Sequence, residues 1–141
     1  MMKYDGTILT DGCRKLGISL TEGQLDQFMI YYERLVEVNR VMNLTAITEF
    51  EDVMRKHFLD SLALVKAMEL KSRWKVLDLG TGAGFPGIPL KIVFPETEFV
   101  LVDSLNKRIK FLQNIIDICR LKGITEPWLI SLHSQSTVFP M

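Results

Sequence analysis

The sequence has few cysteines, no excess charge of either sign and no long apolar run. Its 141 residues include two cysteines, and 17 basic side chains balance 17 acidic ones. Cys13 and Cys119 have neither metal-ligand spacing nor a disulfide framework around them, which predicts buried free thiols in a reducing compartment. The zero net charge gives no sign of a nucleic-acid partner, although a local basic patch remains compatible with one.

No segment of the chain predicts membrane insertion or export. No run approaches the roughly 20 apolar residues of a membrane-spanning helix. The first residues contain Lys3, Asp5 and Asp11 and no apolar signal-peptide core. With 48% apolar and 24% charged residues, the composition is that of a soluble globular protein with a moderate core. We therefore expect a cytoplasmic protein with no membrane partner and no metal site.

The first half of the sequence has helical patterns. A short helix is expected from about Thr7 to Leu16. A long amphipathic helix, Glu22 to about Met42, follows the capping-box pair Thr21 and Gln24. A third helix is predicted from about Glu51 to Met68. Its inward side is expected to contain Val53, Phe58, Leu62, Val65 and Met68, and its exposed side Arg55, Lys56 and His57.

The second half of the sequence has the pattern of a parallel α/β sheet. Two apolar runs, each ending in an acid, predict buried strands at Trp74 to Leu79 and at Phe99 to Asp103. The remaining predicted elements are helices at about Ile88 to Phe94 and Asn106 to Arg120, and a third strand from Trp128 to about Ser131.

A glycine-rich turn connects the first strand to the next helix. Asp78, Gly80, Gly82 and Gly84 form an acid-x-G-x-G-x-G pattern, which places the acid at the strand end and the glycines directly in the turn. Gly82, Gly84 and Gly87 also satisfy the dinucleotide fingerprint G-x-G-x-x-G, but that match begins late, well after the strand has ended. The first pattern is therefore the better match.

The two glycine patterns also correspond to cofactors with different chemistry. A dinucleotide places its pyrophosphate on the helix N-terminus, where N–H groups and the helix dipole favour anions. S-adenosylmethionine has no phosphate, and its zwitterionic end benefits from a carboxylate such as Asp78 and from backbone amides. With either cofactor, Asp103 is placed to bind ribose hydroxyls. The alternatives are a ligand-free tight turn for the glycines and a helix cap for Asp103.

Three segments of the sequence together identify a family. They are NLTAIT, KHFLDSL and VLDLGTGAGFPGIPLKIVFPETEFVLVDSLNKRIKFL. In these segments the chain resembles the GidB (RsmG) family, bacterial methyltransferases of small-subunit ribosomal RNA, from about Thr21 to Gly123. The resemblance implies an S-adenosylmethionine-dependent enzyme that methylates position 7 of a guanine. Small-subunit ribosomal RNA, or the ribosomal particle, is the expected partner.

The resemblance also implies roles for individual residues. Gly80, Gly82, Gly84 and Phe85 match the family's cofactor loop, and Asp103 matches its ribose-binding acid. A second group matches a signature near the cofactor cleft that shapes the site or contacts RNA: Asn43, Thr45, His57, Asp60 and Ser61. Helix capping and packing explain this second group equally well.

The catalytic and RNA-binding residues are harder to predict. Position 7 of guanine already has a lone pair and needs no general base, so positioning should supply most of the rate enhancement. We therefore name no catalytic residue. Basic side chains that could meet RNA phosphates are Arg55, Lys56, Arg73, Lys107, Arg108 and Lys110.

The chain also departs from the family. Members have further strands, an acidic loop that holds the adenine and a later basic segment, whereas the pattern here stops near Ile124. We expect a truncated or frame-shifted member, with a helical segment (1–70), a partial cofactor-binding α/β domain (71–130) and an irregular tail (131–141).

The predicted fold class is an incomplete Rossmann-like parallel sheet preceded by an N-terminal helical segment. The segment from Val76 to Leu79 should then be an exposed apolar edge that invites self-association. Two other functions stay open. One is a non-catalytic remnant that binds cofactor or RNA, and the other is a nicotinamide-dependent oxidoreductase fragment.

Overall fold

The computed structural model describes residues 4–66, 74–124 and 127–129. Helices come first in the chain, and a parallel sheet with two intervening helices follows. The elements are α1 (Thr7–Lys15), α2 (Glu22–Met42), a composite helix α3 (50–66), β1 (Lys75–Leu79), α4 (Gly87–Val93), β2 (Glu98–Asp103), α5 (Asn106–Ile118) and β3 (Trp128–Leu129). This is the predicted architecture, an incomplete Rossmann-like sheet preceded by helices.

The sheet is parallel with the strand order β1-β2-β3. Its register pairs Asp78 with Leu101, so the carboxyl ends of β1 and β2 meet at one edge. Phe99 and Leu101 are fully buried in the core. On the opposite face of the sheet, Leu77 and Leu79 are 45% and 60% exposed. Within the described residues, β1 pairs with β2 alone, so it is an edge strand there.

Helix α2 begins with the predicted capping box. The Thr21 hydroxyl accepts a hydrogen bond from the Gln24 N–H at 3.1 Å, and the Gln24 side chain accepts one from the Thr21 N–H at 2.9 Å. This exchange satisfies two N–H groups that the helix leaves without intrahelical partners. The buried residues of α2 are Phe28, Met29, Tyr31, Tyr32 and Leu35.

Helix α3 contains a π-helical segment, Val53–Leu59, which the sequence pattern did not predict. Its hydrogen bonds join residues five apart instead of four, and the side chains therefore shift around the helix axis. Met54 is fully buried. Arg55 and Lys56 are exposed as predicted, but His57 is half-buried. His57 therefore lies only partly on the predicted exposed side, because its ring stacks on the Phe85 ring.

Other predicted boundaries differ by one or two residues. Helix α1 ends at Lys15, and α4 and β2 each begin one residue earlier than expected. Helix α5 ends at Ile118 because the chain soon takes a left-handed turn at Arg120, with φ of 55°. Predictions for Met68, Arg73, Ser131 and the tail (131–141) fall outside the described residues.

Both cysteines are free and buried, as predicted. Burial raises the pKa of Cys13 to about 11 and the pKa of Cys119 to about 12. Such thiols stay protonated near neutral pH and are poor nucleophiles. None of the described helices combines the length and apolarity needed to cross a bilayer. The division of the chain into three segments stays a prediction.

Candidate functional site

The turn after β1 is a loop whose glycines have two different functions. Gly80, Gly82 and Gly84 have φ values of 68°, 58° and 103°, a region that other residues rarely adopt. A Cβ at Gly80 or Gly82 would meet no atom within 4 Å, so open space lies in front of both. A Cβ at Gly84 would lie 2.5 Å from the Tyr31 hydroxyl. The first two glycines leave room for a ligand, and the third permits close packing.

Backbone hydrogen bonds fix the path of this loop. The N–H groups of Gly80 and Thr81 donate to the Val102 carbonyl of β2 at 2.9 and 3.0 Å. Those of Gly84 and Phe85 donate to the Thr81 carbonyl at 2.9 and 3.1 Å. These four hydrogen bonds within the chain give the loop a defined shape.

Asp78 ties the end of β1 to the start of α4. One oxygen of its buried carboxylate accepts hydrogen bonds from the Thr81 hydroxyl at 2.7 Å and from the Gly87 N–H at 3.0 Å. Burial raises the pKa of Asp78, and these two hydrogen bonds oppose that rise. The observed contacts of Asp78 lie within the loop, and its predicted contact with a cofactor stays a prediction.

Asp103 joins the end of β2 to the same loop. Its Oδ2 accepts a hydrogen bond from the Gly82 N–H at 2.8 Å. Its Oδ1 accepts one from the Leu105 N–H at 3.1 Å and a longer one, 3.4 Å, from Nη1 of Arg108. The two strand-end acids predicted from the sequence thus both hold the glycine loop.

The structure brings two residues of the family signature to the loop. The His57 ring stacks on the Phe85 ring, with centroids 4.3 Å apart and planes 10° apart. Nε2 of His57 lies 2.8 Å from the Thr45 hydroxyl, and Asn39 fixes Thr45 by accepting a hydrogen bond from its N–H at 2.9 Å. NLT and KHFLDS therefore form one wall beside the cofactor-loop motif.

The other signature residues lie differently. Asn43 ends α2 with a positive φ of 28° and is exposed. Asp60 is also exposed, and its charge partly opposes the lowered pKa of His57. Ser61 is buried and donates a hydrogen bond to the His57 carbonyl at 2.6 Å. In this structure Ser61 packs the helix, while Asn43 and Asp60 are available to solvent.

Tyr31 is a site residue that the sequence patterns did not identify. It is fully buried on α2, and its hydroxyl donates a hydrogen bond to the Ala83 carbonyl in the middle of the glycine loop. Its ring lies 5.8 Å from that of Phe85. Tyr31 follows Phe28 by three residues, so helical spacing alone could have placed it inward. Through Tyr31, the helical segment supports the loop directly.

The fold and the loop together define a class of protein. A glycine turn after one parallel strand, with a carboxylate at the end of the neighbouring strand, is the geometry with which α/β proteins bind nucleoside cofactors. The described residues place both features within hydrogen-bond distance of each other through Gly82 and Asp103. The site therefore has a geometry typical of nucleoside-binding α/β proteins.

Comparisons with known proteins identify the family. The family model for GidB, rRNA small subunit methyltransferase G, matches residues 24–126. A curated protein named ribosomal RNA small subunit methyltransferase G from Lachnoclostridium phytofermentans is 54% identical over 121 residues, 86% of this chain and 50% of the relative. Relatives of the same name from Alkaliphilus metalliredigens and Leuconostoc citreum are 53% and 51% identical over 77% of this chain, and the matches cover 45% and 46% of their lengths.

The chain belongs to the GidB family, which confirms the resemblance found in its sequence. It spans about half the length of the curated relatives it matches. The glycine loop, both strand-end acids and the Thr45–His57 pair all fall within the matched residues 24–126.

Removing the Tyr31 hydroxyl should loosen the glycine loop. In Tyr31→Phe the buried Ala83 carbonyl loses its donor, and the free energy of unfolding should fall by about 1–2 kcal/mol. Urea unfolding measures this loss. Amide hydrogen exchange should be faster at Gly84 and Phe85 than in the unmodified chain.

Tyr32→Phe is the matched control for this prediction. The Tyr32 hydroxyl donates to the Thr48 carbonyl at 2.8 Å, away from the glycine loop. This variant should lose stability without a specific increase in exchange at the loop amides. The same exchange pattern in both variants would contradict a direct function of Tyr31 in holding the loop.

The protonation of His57 should affect stability in weakly acidic solution. Burial lowers the pKa of His57, so below about pH 6.5 the unfolded chain binds more protons than the folded one. The free energy of unfolding should therefore decrease as the pH falls through this range. His57→Phe keeps an aromatic ring beside Phe85 and cannot titrate. Urea unfolding from pH 7.5 to pH 5 should show a smaller decrease for the variant, and equal decreases would refute this assignment.

Proposed function

We propose that the glycine loop binds S-adenosylmethionine and that the protein methylates small-subunit ribosomal RNA at position 7 of a guanine. The observation that carries this proposal is the open space in front of Gly80 and Gly82, directly beside the buried carboxylate of Asp103. Family membership gives the reaction, because the matched relatives are named as methyltransferases of this RNA. The cytoplasmic location expected from the sequence belongs to the same proposal.

The residues of the chain fit this cofactor. Asp103 supplies the carboxylate for ribose hydroxyls, and the two open glycines let a ligand approach the backbone. Phe85, supported by His57 and Tyr31, supplies an aromatic wall beside the loop. S-adenosylmethionine supplies an electrophilic methyl group when bound. The protein has to position a guanine in line with that group, and no side chain needs to remove a proton.

The position of Asp78 argues against a dinucleotide. A pyrophosphate would need the N–H groups at the start of α4, but the Gly87 N–H already donates to the Asp78 carboxylate at 3.0 Å. A buried carboxylate there also repels a phosphate group. This disfavours the interpretation as a nicotinamide-dependent oxidoreductase fragment.

Some of the predicted basic residues are better placed for RNA than others. Arg55 and Lys56 already pair with Glu51 and Asp52 at 3.2 and 3.6 Å. Lys107 and Lys110 are exposed on α5, and neither has an ion-pair partner among the described residues. We therefore propose that these two lysines contact RNA phosphates.

Gly82→Ala tests the cofactor site. Its added methyl group would enter the open space, and the left-handed backbone should cost about 1 kcal/mol of stability. Calorimetric titration should show that the unmodified chain binds S-adenosylhomocysteine and does not bind NAD. In Gly82→Ala the affinity for S-adenosylhomocysteine should fall at least about tenfold, or about 1.4 kcal/mol of binding free energy.

Gly17→Ala is the matched control. Gly17 has φ of 79°, and a Cβ there also meets no atom within 4 Å, but it lies in the turn after α1. This variant should lose similar stability and keep its affinity. Equal affinity losses in the two variants, or no binding by the unmodified chain, would refute the proposed cofactor site.

A non-catalytic remnant that binds cofactor or RNA is the second candidate function, because the open glycine loop beside Asp103 could hold a ligand without methyl transfer. Transfer of a labelled methyl group to small-subunit ribosomal RNA, or to the assembled particle, separates the two candidates. A chain that binds S-adenosylhomocysteine and transfers no methyl group to either substrate would be such a remnant.

We also propose that this chain associates with itself through β1. Its outer edge has no strand partner among the described residues, and Leu77 and Leu79 are exposed beside it. An edge strand with free backbone groups and apolar side chains is a template for pairing with another chain. Parallel strands are also stable chiefly when both faces of the sheet are covered.

Replacing both leucines should weaken this association. In sedimentation velocity experiments the unmodified chain should form larger species as its concentration rises, and the double variant Leu77→Gln, Leu79→Gln should stay monomeric to higher concentration. Val41→Gln is the control, because Val41 is 84% exposed at the end of α2 and distant in sequence from β1. A single monomer at every concentration of the unmodified chain would contradict the proposal.

A further inference from the structure

The carboxylate of Asp103 is nearly saturated with hydrogen bonds. It is 2% exposed, and among the described residues it accepts three hydrogen bonds, from the Gly82 N–H on Oδ2 and from both the Leu105 N–H and Arg108 on Oδ1. A carboxylate has about four lone-pair positions. Oδ2 can therefore accept one more hydrogen bond, and Oδ1 is fully used. A ribose diol has two hydroxyls that can donate hydrogen bonds. The first can use the free lone pair of Oδ2, but no lone pair of Asp103 is left for the second.

One of the three donors is free to leave. The Gly82 and Leu105 N–H groups belong to the backbone, and the loop and the start of α5 fix them. Arg108 donates from a flexible side chain that is 34% exposed, and its distance of 3.4 Å is the longest of the three. It can move into solvent at low cost because water solvates a guanidinium that leaves the carboxylate.

We infer that Arg108 sets the affinity of the ribose subsite by occupying the position on Asp103 that a second ribose hydroxyl needs. This inference rests on the proposed function, in which Asp103 binds ribose. Arg108 thus competes with the cofactor. When the ribose displaces it, its guanidinium becomes free on the helix that also has Lys107 and Lys110, where it can meet phosphate.

Arg108→Met tests this competition because the variant removes the guanidinium and keeps much of the apolar stem. Calorimetric titration with S-adenosylhomocysteine should show binding about threefold tighter than in the unmodified chain, as expected for loss of one partly exposed ion pair. Arg108→Lys, which keeps the charge on a shorter head group, should bind with an intermediate affinity.

Arg14→Met is the matched control. Arg14 pairs with Asp11 at 3.2 Å on the exposed side of α1, and both residues are distant in sequence from the loop. Its affinity for S-adenosylhomocysteine should be unchanged. The 2′,3′-dideoxy analogue of S-adenosylhomocysteine gives a second control, because it has no diol. The gain in Arg108→Met should disappear with this analogue if the guanidinium competes with ribose hydroxyls.

The outcomes separate this inference from the proposed function. Equal or weaker binding of S-adenosylhomocysteine by Arg108→Met, when the unmodified chain binds it, would overturn the inference alone. A gain of the same size with the dideoxy analogue would also overturn it. If the unmodified chain and all variants fail to bind S-adenosylhomocysteine, both the inference and the proposed cofactor site fail.

Discussion

The buried carboxylate of Asp78 is the interaction on which the site depends. It accepts hydrogen bonds from Thr81 in the loop and from Gly87 at the start of α4, so one side chain sets both the path of the loop and the position of the helix. Leaving either donor without its acceptor would cost about 1–3 kcal/mol in this buried setting. A loop fixed in this way need not be ordered by its ligand, which reduces the entropy cost of binding.

The helical segment completes the loop from the other side. Tyr31 holds the Ala83 carbonyl, and the π-helical segment of α3 brings His57 against Phe85. π-Helical turns are rare and occur frequently at functional sites, which agrees with the position of this one. The strand-end acids and the helical segment therefore both hold the glycine loop, from opposite sides. This explains why the family match includes α2 and α3 as well as the sheet.

The sequence predicted the features that depend on local pattern. The capping box at Thr21, the parallel strands and the glycine turn follow from residue spacing and backbone preference. The structure confirms all three. The contact between Tyr31 and Ala83 joins residues 52 apart and depends on how α2 packs, which no local pattern encodes. The half-buried position of His57 depends on the stacking of its ring on Phe85 in the glycine loop, a contact between distant parts of the chain.

The hydrogen-bond donors of Asp103 are also beyond what a local sequence pattern predicts. Its place at a strand end was predictable, but its three partners come from the loop, the following turn and α5. Which oxygen each donor uses depends on tertiary geometry. The candidate roles of Asn43 and Asp60, and of the glycines toward a cofactor, stay predictions because their partners are ligands.

Amide hydrogen exchange with and without S-adenosylhomocysteine tests the account most directly. In the proposed nucleoside site, the glycine loop and Asp103 act together. Addition of the ligand should therefore slow exchange at the amides of the loop (80–85) and of the turn after β2 (103–105), with no change in α1. Ligand binding that leaves both segments unchanged, or that protects a different part of the chain, would contradict it.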